Sequence, residues 1–209
     1  MHITGNKAFL IISLCAALQV VACSGYEEYV SEDELVAYIQ DEANGLRQVK
    51  RANQLDIQVS YRPNQLLILQ EAGPYPDSLQ LSMAHQIFDK NCYFTVDLTV
   101  EGKNALYQMG SNGSFSELLN TLSFGMSDKV LLTTSNQDTL AIQDYLFNRT
   151  YGVGASSLLF AFEAFDPTQV KWIDFHFSEF GMHSGNQVFR FQGSNIAQIP
   201  KLKELQIKP

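Results

Sequence analysis

A chain of 209 residues with 45% hydrophobic residues is long enough for one domain or a small pair, and apolar enough to fold around a core rather than persist as a disordered tether. It carries 14 Lys+Arg against 22 Asp+Glu, a formal net charge of −8, and no basic cluster. That balance argues against nucleic acid or an anionic membrane surface as a partner, because both reward clustered Lys and Arg.

Met1 to Lys7 is short, polar and closed by a basic residue, and Ala8 to Val21 is an apolar run. The pairing reads as a secretory signal. At about 1.5 Å per residue such a run falls short of the roughly 30 Å hydrocarbon core, so it is not a permanent span. Its end, Val20-Val21-Ala22-Cys23, resembles the lipobox of bacterial lipoprotein precursors, in which aliphatic and small residues precede a cysteine. The resemblance implies a diacylglyceryl group on the Cys23 thiol, cleavage between Ala22 and Cys23, and an acyl chain (palmitate) on the new amino terminus. Cys15 competes for that role, but it follows Leu14, too large for the small-residue position, with little apolar run before it. The alternative is an ordinary signal peptide cut near Ala22, with Cys23 unmodified.

Two or three acyl chains anchor a protein stably, whereas one does so only marginally. The implied anchor therefore needs no transmembrane helix, and no cofactor is implied beyond the covalent lipid on Cys23. In enterobacterial lipoproteins an aspartate after the lipidated cysteine causes retention at the inner membrane. Ser24 stands here, so the resemblance implies the outer membrane. Removing residues 1–22 takes away Lys7 and no acid, which brings the formal charge to −9. Cys92 is then the one free thiol, and no internal disulfide can form.

Residues 23–30 read as a short acidic tether. Ser31-Glu32-Asp33-Glu34 is a capping box, and the spacing of Leu35, Tyr38 and Ile39 with Gly45 beyond predicts a helix over 32–43. Leu46–Lys50 and Leu55–Tyr61 alternate as two strands around a hairpin loop at Arg51–Gln54. The run 66–69 suits a buried strand or a short helix, with Pro63 and Gly73 favouring the helix. Leu79, Met83 and Ile87 are spaced as one face of a helix, although Leu79, Leu81 and Met83 equally suit a strand. Tyr93–Val100 alternates cleanly, and Ser114–Glu117 forms a second capping box, opening a helix that ends at Gly125. Strands follow over 130–134, 139–147, 158–165, 170–178 and 188–191, and the tail from Ile199 is expected to dock its Leu and Ile residues. Helices early, strands late and no βαβ rhythm predict an α+β fold: an antiparallel, sandwich-like sheet with a few short helices, in one domain spanning 31–209.

Chemistry is sparse beyond Cys23. In a strand through Trp172–Ser178, Asp174, His176 and Ser178 share one face and Ile173, Phe175 and Phe177 the other. Same-face neighbours stand about 6.5–7 Å apart, whereas a nucleophile and its base need about 2.6–3.2 Å, so a solvated face opposite an aromatic core is the simpler reading. His176 and His183 flank a turn with Glu179 or Asp174 nearby, but no tight zinc-ligand spacing appears. Gly152-Val153-Gly154 opens no helix and so supplies no phosphate-binding amino terminus. Cys92, at a strand start, suits packing more than reactivity. Tyr151, Trp172 and His176 remain candidates for ligand contact, the two aromatics by stacking on a sugar or peptide.

The anchor, the acidic residues soon after it and one aromatic-rich domain resemble the mid-sized cell-envelope lipoproteins of Bacteroides-like bacteria. The expected function is a non-enzymatic envelope lipoprotein that binds a protein or glycan partner at the membrane. The alternatives are a lipid-anchored hydrolase using Asp174, His176 and Ser178 or a His176/His183 site, and a structural subunit of a surface assembly.

Overall fold

A computed structural model describes residues 29–73, 75–110, 114–148 and 154–206. The lipobox at 20–23, most of the expected tether and Tyr151 lie outside these. In chain order the elements are β1 (Tyr29–Val30), α1 (Glu32–Gln40), β2 (Arg47–Ala52), β3 (Leu55–Arg62), α2 (Asn64–Ala72), α3 (Ser78–Phe88), β4 (Asn91–Val100), β5 (Lys103–Asn104) and α4 (Ala105–Met109). Then follow α5 (Ser114–Asn120), β6 (Val130–Thr134), β7 (Thr139–Leu140), β8 (Ile142–Asn148), β9 (Ser156–Glu163), β10 (Trp172–Phe177), β11 (Gln187–Gln192), α6 (Gly193–Ala197) and β12 (Lys201–Leu202). The fold is α+β, as expected.

Two antiparallel sheets carry the core. The larger runs β2-β3-β4-β9-β8, with β5 on the end of β4, and the smaller runs β11-β10-β6-β7. Period-two alternation sends Leu55, Ile57, Val59, Phe94, Val96, Leu98, Phe160 and Phe162 of the larger sheet inward, and Phe175, Phe189 and Phe191 of the smaller sheet meet them. The Phe94 ring lies 5.4 Å from Phe175 and 5.3 Å from Phe191 across the gap. The outer edge of β11 is covered by side chains of β2: Lys50 Nζ donates to the Val188 carbonyl at 2.5 Å and Gln48 Nε2 donates to that of Arg190. This closes an edge otherwise free to pair with another chain.

Local chemistry explains most boundaries. The Ser31 hydroxyl accepts from the Glu34 N–H and the Glu34 carboxylate accepts from the Ser31 N–H at 2.8 Å, the expected capping box. The helix stops at Gln40 rather than 43, because Asp41 turns extended and its carboxylate opens a separate 3-10 turn over residues 42–44. Glu101 and Gly102, with φ of 51° and 73°, form a two-residue loop of the kind that suits a twisted hairpin. Tyr29 and Val30, read from sequence as the end of the tether, pair in parallel with Lys201 and Leu202, so the domain begins before residue 31.

Three expectations change. The single strand over 139–147 is two: Leu140 pairs with Leu132 in the smaller sheet and Ile142 with Phe162 in the larger, the chain changing sheets at Ala141. The helix from Ser114 does not end in its α form at Gly125: it passes into a wider turn over Thr121–Gly125 and a 3-10 turn over Met126–Asp128, which buries Met126. The residues 78–88 are helical, but Leu81, Ala84 and Phe88 face inward against Ile68 of α2, leaving Leu79, Met83 and Ile87 exposed.

Leu81 is 4% exposed and Leu79 69%. Leu81→Ala is therefore expected to lower stability by about 2–5 kcal/mol, and Leu79→Ala by no more than about 0.5 kcal/mol, read from urea unfolding midpoints.

Candidate functional site

The outer face of β10 carries the residues the sequence brings to notice. Asp174, His176 and Trp172 alternate with the buried Ile173, Phe175 and Phe177, as expected. Register decides what each of them meets. Arg190 of β11 stands directly opposite Asp174, and its Nε and Nη2 donate to the two carboxylate oxygens, both at 2.7 Å. The same guanidinium lies over the Trp172 ring, 4.0 Å from its centroid. The Asp174 hydrogen bond, the largest influence on Arg190, raises its pKa. Asp174 is thereby enclosed although it sits on an outer face, being 6% exposed.

His176 is held elsewhere. Its Nε2 is 2.9 Å from the Thr133 hydroxyl of β6. Ser178 lies past the end of the strand, where its N–H donates to the Lys129 carbonyl at 2.7 Å. Asp174, His176 and Ser178 are thus each engaged by a different partner, and no hydrogen bond joins them among the described residues. The stacking face of Trp172 is taken by Arg190, and Tyr151 lies outside the described residues.

The loop between β10 and β11 uses Glu179 as an internal cap. Its carboxylate accepts from the N–H groups of Phe180, Gly181, His183 and Gly185 and from the Ser184 hydroxyl, at 2.6–3.1 Å. His183, at φ 55°, is exposed, and its carbonyl accepts from Asn53 at 2.6 Å. With Glu179 so committed and Asp174 held by Arg190, both carboxylates open to the alternative His176/His183 site are already engaged. Among the described residues there is no group of three or more His, Cys, Asp or Glu side chains placed to share a metal ion. Cys92 is 4% exposed, and burial pushes its thiol up to about 12, which keeps it a packed, unreactive group.

The outer face of the larger sheet is different in character. A polar row crosses it: Arg47 donates to Gln58 at 2.8 Å, Gln58 to Asp97 at 3.4 Å, and Ser157 to the other oxygen of Asp97. Beside this row stands Arg62, the last residue of β3. Tyr61 before it faces the core, and Pro63 after it keeps it extended, so its side chain points outward. Three depressions meet at Arg62. One of about 480 Å³ extends over Leu67, Leu146 and Leu159, one of about 330 Å³ lies along α1 towards Asp97, and one of about 600 Å³ opens towards Glu32 and Glu204.

The Nε of Arg62 is buried and has no hydrogen-bond partner among the described residues. Burial lowers its pKa, with the charge of Glu32 opposing that shift from beyond ion-pairing distance. Most buried polar groups are bonded, so this Nε, together with the Glu204 Oε2 that is likewise buried and unbonded among the described residues and lines one of the same depressions, marks the junction of three depressions as the candidate ligand position. The sequence contained a usable signal, since Arg62-Pro63 extends the alternation of β3 by one outward residue. The expected strand, however, ended at Tyr61.

No protein-family model matches the sequence, and no curated protein matches it. Among solved structures, a DUF4426 family protein from Pseudomonas aeruginosa PAO1 aligns at a TM-score of 0.34 and 9% identity, over 70% of this chain and 91% of that one. The likeness is too remote to inform fold or activity. Among the described residues no helix is long and apolar enough to cross a membrane.

Burial alone would raise the pKa of Glu179, but the bonds from Gly181, Gly185, Ser184 and His183 outweigh it and hold the group below its ordinary value. A depressed carboxylate contributes stability above its unfolded pKa and loses it as pH falls through the folded one. Glu179→Ala is expected to cost about 1–2 kcal/mol at pH 7, with the difference from the native chain shrinking below about pH 4, measured by urea unfolding across pH.

Proposed function

We propose that this chain is a lipid-anchored protein of the bacterial cell envelope, held at the outer membrane through Cys23, whose domain binds a ligand or partner rather than catalysing a reaction. The anchor is supported by the Val20–Cys23 motif placed after a basic residue and an apolar run. The binding reading is carried by one observation. The carboxylate that would orient His176 is saturated by Arg190, while Arg62, on the opposite sheet, is a half-buried cation whose Nε has no hydrogen-bond partner among the described residues.

A hydrolase built on β10 needs Asp174 to release Arg190 and His176 to leave Thr133, with a nucleophile brought from beyond the strand end. Such a rearrangement breaks two charge-assisted hydrogen bonds before any chemistry begins. A binding domain needs none of this, because the groove at Arg62 is already open. Position at a membrane suits it: β1 begins at Tyr29, six residues after Cys23, so the domain stays within about 20 Å of the anchor even with that segment fully extended.

Metabolic labelling with an alkynyl palmitate in the native host tests the anchor. Label is expected on the wild-type chain and not on Cys23→Ala, and the amino-terminal peptide is expected to begin at Cys23 with lipid attached. Label persisting in Cys23→Ala, or an unmodified Cys23 at the mature terminus, contradicts it.

A further inference from the structure

We propose that the groove beside Arg62 binds a monocarboxylate carrying an apolar tail, with the carboxylate on the Arg62 guanidinium and the tail along Leu67, Leu159 and Leu146. The inference rests on the reading of the domain as a binding module and names the class of ligand it takes.

Charge selects the headgroup. In a chain of formal charge −8, an anion needs a local cation, and Arg62 is the only charged residue among the described residues lining the 480 Å³ groove. The two acids that face Arg62, Glu32 and Glu204, line the depression on its other side. One guanidinium already partly balanced by Glu32 favours one negative charge over the two of a phosphate monoester. The planar fork of arginine matches the two oxygens of a carboxylate, and the Gln70 amide lines the same groove as a further donor group.

The rest of the groove selects the tail. Beyond Arg62 its walls are four leucines and Phe147 beside four polar residues, and Leu146, on the outer face of β8, is 66% exposed. A volume of about 480 Å³ is in the range of small-molecule sites, which combine apolar walls with a few polar groups that fix orientation.

Isothermal titration of the full mature chain, residues 23–209 with Cys23→Ala, with sodium octanoate tests this. Saturable one-to-one binding is expected. Affinity should rise about two- to fourfold per methylene from butanoate through hexanoate to octanoate, and octylammonium should bind at least tenfold more weakly. Arg62→Gln is expected to weaken octanoate at least tenfold and Arg62→Lys less, since the lysine keeps the charge and loses the fork. Leu146→Glu, at an exposed position that folding does not need, is expected to weaken it at least tenfold as well, so a misfolded Arg62 variant does not remove the test. No saturable octanoate binding, equal binding of octylammonium, or octanoate affinity unchanged in Arg62→Gln or in Leu146→Glu overturns the proposal. A protein or glycan that binds the same chain while octanoate does not overturns the ligand class and leaves the binding reading standing.

Discussion

Phe94 fixes the domain. Its ring lies between the two sheets, with Tyr61 and Phe162 beside it at 5.3 and 6.1 Å and Phe175 and Phe191 across the gap at 5.4 and 5.3 Å. Aromatic pairs at such spacings contribute beyond the area they bury, and a slip of one residue in β4 would turn this ring to the outer face. With Phe94 inward, Tyr93, Thr95 and Asp97 face out, and the ladder carries that assignment to the neighbours. Tyr61 opposite Phe94 points in, and Arg62 opposite Tyr93 points out. The exposed chemistry of the larger sheet is thus set by packing on its hidden side.

The two sheets treat their outer arginines in opposite ways. Arg190 has an acid directly across the ladder and an indole beneath it, so its charge is consumed within the fold. Arg62 has Tyr93 across the ladder, α2 just after it and no acceptor for its Nε among the described residues. Desolvating a cation that has only the more distant charge of Glu32 against it costs free energy that the aromatic core must offset. Such a cost is tolerated where the partner arrives from outside, as in sites held ready for a ligand.

Local patterns made part of this legible. The capping box at Ser31 and the alternation of Tyr93–Val100 depend on residues a few positions apart, and both appear as expected. The face of α3 was not readable, because Leu79, Met83 and Ile87 satisfy helical spacing as well as Leu81, Ala84 and Phe88 do. Only the position of Ile68 on the preceding helix decides between the two sets. The split at Ala141 was hidden for a related reason, since both halves alternate and nothing local says that they pair with different sheets. The shared face of Asp174 and His176 followed from period two, but its meaning did not. The arginine that occupies Asp174 is 16 residues away and reaches it only through the β10–β11 register. Arg62 was missed because a strand boundary placed one residue early removes its outward direction.

The contrast between the two arginines is tested most directly by urea unfolding of Arg62→Met and Arg190→Met beside the native chain. Methionine keeps much of the length of the side chain and removes its charge, so packing changes little and electrostatics much. If Arg62 is a cation without an ion pair, held for a ligand, Arg62→Met unfolds at the same or higher urea concentration than the native chain. Arg190→Met, which strands the enclosed Asp174, then unfolds at a lower one. A marked loss of stability in Arg62→Met, with Arg190→Met unaffected, contradicts that assignment.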